Sequence, residues 1–526
     1  MRNINRFIKT GALVIGMTVL NSCIGDLDRK PFIEVTSASV YNDPANYKKV
    51  LAKLYAGLAV SGQQGPAGQP DISGIDEGFS SYLRQYWFAQ ELTTDEAVIG
   101  WNDGSLPDYH DMDWSSSNEF ITTMYNRIFY QITLCNELIR EASDAKLKER
   151  NLTGTEFTTY RAEARFLRAL SYYHAIDMFG SVPFVTEQDA VGSFLPKQGS
   201  RAEIFAYVES ELKAIENELP SPKQNEFGRA DRAAVWTLLA KLYLNAEVYI
   251  GTPKYTEAID YSKKVIGAGY TLHTNYQGLF LADNHTSPEI IFPIRFDGQN
   301  TKTYGGMTFL VHAPVGGTMN PAEFGINGGW SGVRTTSAFV SKFTDITGKT
   351  DSRAMFHTDG QKLDINDIFT FADGYAMKKF KNVTSTGAVG SNLQESFVDT
   401  DFPLFRLADI YLIYAESVLR GGTGGDVTTA VGYINQLRQR AYKGTTGNVT
   451  SINLDFILDE RARELFWEGH RRTDLIRFNK FTAGGYIWQW KGGIKDGRGV
   501  NDNLKLFPIP AADLVANPNL KQNTGY

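Results

Sequence analysis

Cysteine is nearly absent: 526 residues hold two, Cys23 and Cys135. That excludes a disulfide framework and any C-x-x-C metal or redox motif. Histidine is scarce too, with seven residues and no pair at metal-ligand spacing. Basic charge is in deficit, with 53 Lys and Arg against 59 Asp and Glu. Nucleic acid and anionic lipid, which need a basic surface, are therefore poor partners. Beyond residue 20 no apolar run is long enough for a transmembrane helix. Catalytic signatures are missing as well: there is no H-E-x-x-H, G-x-S-x-G or G-x-G-x-x-G. Gly348-Lys349-Thr350 looks like the end of a phosphate loop, but Phe343 stands where a glycine is required.

What the chain does have begins with an address. Arg2, Arg6 and Lys9 precede the ten-residue apolar run GALVIGMTVL (11–20), which ends in Leu20-Asn21-Ser22-Cys23. The pattern is that of a bacterial lipoprotein signal over 1–22, cut before Cys23 so that the thiol can carry lipid. The plain alternative is a secretory signal beside an accidental cysteine. Residues 23–40, with Asp26, Asp28 and Pro31, read as an acidic tether from membrane to body. Losing the three basic residues leaves 50 bases against 59 acids, a net charge of −9. Cys135 lies in the apolar helical pattern IFYQITLCNELI and reads as a buried small hydrophobe.

Helical periodicity dominates 45–270 and 403–480. Phe166, Ala169, Leu170, Tyr173 and Ile176 share one face of a helix expected over 156–179, with Arg161, Arg165 and Arg168 on another. Gly180 and Pro183 end it. ADRAAVWTLLAKLYLNAEVYI with YTEAIDYSKKVIGAG, and LADIYLIYAESVLRGG with VTTAVGYINQLRQRA, read as helix–turn–helix pairs of tetratricopeptide type. Residues 61–118 and 270–400 are rich in Gly, Thr, Asn and Asp and read as loops with a few strands. EIIFPIRF (289–296) and MTFLVHAP (307–314) are the strand candidates. The expected class is predominantly all-α: a single domain over 41–526, with helix pairs and a loop-rich region where binding residues sit.

Within those loops, aromatic rings sit among turn residues. Residues 91–114, ELTTDEAVIGWNDGSLPDYHDMDW, carry seven acids, no base, and Trp101 between Gly100 and Asn102-Asp103-Gly104. Trp330 lies in INGGWSG and Tyr304 in TKTYGG. Each ring is either a loop anchor or a platform for the apolar face of a sugar, whose hydroxyl rim suits Asp, Asn and Arg. The adjacent acids Asp76-Glu77 and Asp95-Glu96 are open to a glycosidase reading. That chemistry needs two carboxyls facing each other across a sugar, and loop acids are usually solvated. EGHRRTDLIR (468–477) reads as interlocking ion pairs that tie a helix to its neighbours.

Five stretches, in order, resemble the SusD/RagB family of outer-membrane lipoproteins from Bacteroidetes. They are Cys23 to Asp28, the helix Arg165-x-x-Arg168-Ala169-x-x-Tyr172 ending in Phe179-Gly180-x-Val182-Pro183, PLFRLADIYLIYAES (403–417), ERARELFWEGHRRTDLIRF (460–478), and LFPIPAADLVANPNLKQNTGY (506–526). The resemblance implies four tetratricopeptide-like helix pairs, mainly within 45–270 and 403–442. It implies a lipid-anchored, cell-surface, non-catalytic glycan-binding protein, partnered by a TonB-dependent barrel transporter of the SusC type. It implies no metal or organic cofactor, though it leaves room for a structural calcium ion. Within the family the chain is most similar to a starch-binding member. By that likeness Trp101, Trp330 and Tyr304 form an aromatic arc for a curved α-1,4-glucan, with Arg84, Asp76 and Asn102 on its hydroxyls. Gly104 is the alternative to Asn102 at the last position. The rival readings are another glycan, such as a fructan, and a lipid-anchored glycosidase.

Overall fold

A computed structural model describes residues 37–192 and 194–526. Cys23, the signal segment 1–22 and most of the 23–40 tether lie outside the described residues. Of the first unit, 37–46, the structure shows a short helix, Ser37–Val40, and a turn in which Asn46 Nδ2 donates to Val40 O. Residues 47–526 form the second unit.

Nine helices of twelve residues or more make the scaffold among the described residues. They are α1 (Ala45–Ala59), α2 (Glu119–Glu141), α3 (Thr155–Met178), α4 (Arg201–Ile215), α5 (Arg232–Leu244), α6 (Tyr255–Ile266), α7 (Leu407–Leu419), α8 (Val427–Tyr442) and α9 (Leu454–Leu465). Their starts follow capping chemistry. Asn118 caps α2, Asp231 caps α5, and Ser200 with Glu203 closes a capping box on α4. Helix α3 ends at Phe179, and Gly180 supplies the positive φ of 72° that turns the chain. The first eight helices form four pairs. α3 packs on α4, α5 on α6, and α7 on α8. In the first pair Gln131 Nε2 of α2 donates to Leu54 O of α1 (2.8 Å), and Gly57 leaves room for that side chain. Successive pairs stack through α2 on α3, α4 on α5 and α6 on α7. This is the tetratricopeptide-like array expected from the helix–turn–helix patterns. Cys135 is fully buried in α2, where burial pushes its thiol up to about 12.

Two long insertions leave the array: residues 60–118 inside the first pair, and 267–406 between the third and fourth. The second is closed at its base by an antiparallel ladder of Ile290–Ile294 with Phe402–Arg406, so EIIFPIRF is a strand as expected. MTFLVHAP is not a strand. Gly306–His312 is a helix, buried along its whole length. A short apolar run with no polar alternation fits a buried helix as well as a strand. The first insertion also departs from a plain loop: Tyr82–Trp87 is α-helical and Phe88–Leu92 continues it as a π-helix. Arg127 of α2 fastens the ends of the loop before it, donating to Ser61 O and Ser80 Oγ, both at 2.6 Å.

Insertions and array are riveted by buried ion pairs. Arg406, at the end of its strand, reaches Glu468 (2.6 Å), Glu464 (2.7 Å) and Glu289 (2.9 Å). Arg353 reaches Glu460 (2.8 Å) and Asp351 (2.8 Å). Every charged side chain of EGHRRTDLIR except His470 has a counter-ion within 3.1 Å: Glu468 with Lys379 and Arg406, Arg471 with Asp95, Arg472 with Asp177, Asp474 with Arg461, and Arg477 with Glu416. The expected interlocking of this segment is present. Burial works to raise Glu464, but Arg440, Arg406 and Arg353 together hold it at about 2. Arg406→Met leaves three carboxylates with one cation fewer in a dry interior. The expected loss is about 3–5 kcal/mol, read as a lower urea midpoint, and an unchanged midpoint would contradict the role given to the network.

Candidate functional site

Trp101 and Trp330 come together through strand register. Val98–Ile99 pairs antiparallel with Val333–Arg334, Val98 opposite Arg334 and Ile99 opposite Val333. Gly100 N extends the pairing by donating to Gly332 O (3.0 Å). Residues that follow Ile99 therefore face residues that precede Val333. The two indole centroids lie 6.3 Å apart with the rings tilted by 46°. Gly332 is obligatory here, because a Cβ would run into the Trp101 ring.

Behind the indoles runs the Gly306–His312 helix. Tyr304 precedes it, Phe309 sits at its middle and His312 at its end. Phe309 meets Trp101 edge-on at 6.0 Å, and His312 stacks on Trp330 at 4.7 Å and 26°. Seven helical residues span roughly 10 Å, so one element spaces both contacts. His312 is fixed from both sides, with Gly328 O at 2.7 Å from Nδ1 and Ser396 O at 2.9 Å from Nε2. Burial lowers its pKa, against the pull of those two carbonyls.

Arg84 lies under this surface and is only 4% exposed. Its guanidinium packs on Phe79 (4.0 Å), Phe309 (4.4 Å) and Trp101 (5.8 Å). Nη1 donates to Gly78 O (2.8 Å) and Tyr304 O (3.4 Å), so this one side chain joins the Asp76 turn to the Tyr304 turn. Nε is buried and has no partner among the described residues. Burial lowers Arg84 to about 9, opposed by Asp76, Asp103 and Glu77 around it. Asp76 is exposed, and its Oδ1 accepts from Gly78 N (2.9 Å). Burial and the adjacent Asp76 push Glu77 up to about 7.

All six residues singled out from the sequence thus fall around one surface. Trp101 and Trp330 touch. Arg84 lies beneath Trp101 and bonds the Tyr304 backbone. Asp76 flanks Arg84, and Asn102 is exposed beside Trp101. Tyr304 is 41% exposed and its ring rests on Phe397 at 5.2 Å. Neither indole N–H, nor the Tyr304 hydroxyl, nor the Asn102 amide makes a hydrogen bond among the described residues. Sequence reasoning missed Phe309, His312, Phe397 and Phe79, the rings that back the surface. The three-residue spacing of Phe309 and His312 was the available signal, masked by the strand reading of that run.

The acids of 91–114 need correction. Asp95-Glu96 was expected among solvated loop acids, yet Glu91, Asp95 and Glu96 are all buried. Arg471 Nε and Nη2 donate to Asp95 at 2.7 and 2.8 Å. Glu96 Oε2 accepts from Trp467 N, and Glu91 Oε1 from Gly469 N. They hold the chain just before the strand that leads to Trp101. The cause is tertiary: Arg471 and three backbone N–H groups come from a segment more than 370 residues away.

The chain belongs to the SusD/RagB family. The family model described as "SusD family" matches residues 363–526, and the one described as "Starch-binding associating with outer membrane" matches 27–244. The chain is 36% identical to the starch-binding protein SusD of Bacteroides thetaiotaomicron across 99% of both chains. It is 24% identical to SusD-like protein P38 of Formosa agariphila over the full length of both. Among solved structures, surface glycan-binding protein A from Bacteroides fluxus superposes with a TM-score of 0.70 at 19% identity, covering 92% of this chain and 100% of that one. Its counterpart from B. thetaiotaomicron, in complex with laminarihexaose, gives 0.68 at 19% over 91% and 99%. These structures share the predominantly helical fold.

Burial is the largest influence on Glu96 and raises it to about 8, while Arg471 pulls it down. An acid raised on folding keeps a proton in the folded state that the unfolded chain releases. From about pH 4.5 to about pH 8 folding therefore takes up a proton, and this group's contribution makes stability fall as pH rises. The buried neighbour Glu91 is raised as well, so Glu96→Gln removes only the Glu96 share of that uptake. Melting temperatures across this window are expected to decline less steeply than in the wild type; an identical slope would place the titration elsewhere.

Proposed function

We propose that the protein binds α-1,4-glucan chains of the starch type at the cell surface and passes the oligosaccharides to a TonB-dependent transporter of the SusC type. The observation that carries the reading is the Trp101–Trp330 pair. Two half-buried indoles stand tilted at 46° with their N–H groups unpartnered, above a guanidinium and beside exposed Asp76, Asn102 and Tyr304. Sugar rings stack on such faces through their C–H groups, and their hydroxyls suit the free N–H, carboxylate and amide groups at the rim. Rings inclined to one another favour a curved chain over a flat ribbon. Arg84 Nη1 holds the turns, which leaves Nη2 uncommitted for a ligand hydroxyl, while the unpartnered Nε is shut away by burial. Membership of a family that includes a starch-binding protein 36% identical to this one supports the ligand class. The role is binding, with no reaction and no cofactor. A lipid on Cys23 anchors the chain to the outer membrane; among the described residues no helix is long and apolar enough to cross one.

Trp101→Ala is expected to weaken binding of a cyclic maltooligosaccharide about tenfold or more in isothermal titration. Wild-type affinity in that variant counts against stacking. Gels containing amylopectin, pullulan, dextran and levan test the ligand class: retardation by levan alone overturns the α-glucan assignment, and steady release of reducing sugar from maltoheptaose overturns the non-catalytic one. Cys23→Ser is expected to move the protein from the membrane to the soluble fraction of cells; retention at the membrane argues for a different anchor.

A further inference from the structure

Phe369 is 53% exposed, yet its turn is built like a core turn. Asp367 Oδ1 accepts from Phe369 N (3.0 Å) and Oδ2 from Thr370 Oγ1 (2.8 Å). Asp373 Oδ2 accepts from Asn366 N (3.0 Å) and Asp367 N (2.9 Å). Gln361 Nε2 donates to Phe371 O (3.0 Å). Two carboxylates and an amide thus fix the backbone of a turn that presents an apolar ring to water. The ordering cost of that backbone is met on folding, which is what a preorganised contact surface requires.

The turn is also tied to the two indole loops. Arg334 is fully buried. Its Nη2 donates to Ile368 O (2.6 Å), Nη1 to Gly332 O (3.1 Å) and Nε to Asp373 O (2.8 Å). Gly332 O also accepts from Gly100 N (3.0 Å), and a Cβ on Gly100 would come within 2.7 Å of Ile368 O. One guanidinium therefore holds the residue before Phe369 and Gly332, two residues after Trp330, and the Gly332 carbonyl in turn takes the hydrogen bond from Gly100, the neighbour of Trp101. Phe371 lies on the other flank. Its ring is 5.9 Å from the Arg334 guanidinium, and a Cβ on Gly316 would sit between that ring (2.9 Å) and the Cβ of Ser331 (2.8 Å), the neighbour of Trp330.

We infer that Phe369 and Phe371 form an outer subsite that continues the sugar-stacking surface past the two indoles, and that Arg334 is its positioning residue. The inference rests on the function proposed above. A short oligosaccharide ends on Trp101 and Trp330. A longer chain runs on over the phenyl rings, which have no polar group and so contribute by ring contact alone. The subsite makes affinity depend on chain length.

The test is Phe369→Ala, titrated with maltotriose and with amylopectin. The side chain is exposed, so the variant is expected to fold, and matched melting curves check this. Its affinity for maltotriose is expected to stay within about twofold of wild type, while amylopectin affinity falls about five- to tenfold. Phe369→Trp adds an independent readout: its added indole emission changes with amylopectin and not with maltotriose. Full amylopectin affinity in Phe369→Ala, or an equal loss for both ligands, overturns the outer subsite while the main site stands. A wild-type protein that binds neither glycan overturns the proposed function, and the outer subsite with it.

Discussion

Buried charge matched by opposite charge is the constraint on which this structure depends. Glu460, Glu464 and Glu468 are fully or almost fully shielded from water, and around them converge Arg353, Lys379, Arg406, Arg438 and Arg440. Each buried ion costs several kcal/mol to desolvate, so the arrangement holds only with its partners and geometry intact. Arg353, Lys379 and Arg406 belong to the 267–406 insertion, Arg438 and Arg440 to α8. Pairing them fixes how that insertion folds back on the helical array. Arg471 with Asp95 then carries the same constraint to the first insertion.

The surface with Trp101 and Trp330 is the consequence. Asp95 and Glu96 are locked by Arg471 and Trp467, and the strand after them sets Trp101 opposite Trp330. Trp101 is anchor and platform at once. One edge meets Phe309 and the buried ring cluster beyond, where Phe309 contacts Phe88 and Trp87. The rest of the indole stays half-exposed, with its N–H unpartnered. Arginine serves as the mortar between loops: Arg127, Arg84 and Arg334 each spend nitrogen donors on backbone carbonyls of separate turns. A guanidinium suits that task because its donors are rigidly splayed and it stays charged at neutral pH even when buried.

The helical array was legible because it is local. Apolar spacing, the Asp231 cap and the Gly180 stop lie within a few residues of what they control, and α3, α5, α6, α7 and α8 fall where the periodicity puts them. The Glu468–Arg477 segment was legible as an ion-pair cluster because so dense a mix of charge in an apolar setting has few other uses. Besides the Tyr82–Leu92 helix inside the 61–118 loop region, two readings failed where local pattern was silent. The run after Gly306 has no polar alternation, so nothing in it separates strand from helix. Asp95 and Glu96 carry no mark of burial, since their partners stand more than 370 residues away.

By itself, then, the sequence determined the helix pairs, the deficit of metal and thiol chemistry, and which aromatic residues sit among turn-forming neighbours. Whether those aromatics converge was decided by tertiary structure alone. Trp101 and Trp330 lie 229 positions apart, and their contact follows from a two-residue strand pairing and the hydrogen bond from Gly100 to Gly332. The exposure of Phe369 on a rigid turn, and its clamp to both indole loops through Arg334, were likewise set by contacts across the fold. The physical reason is range. Caps and periodicity act over a few residues, whereas a surface assembled from two insertions depends on pairings that chain order does not encode locally.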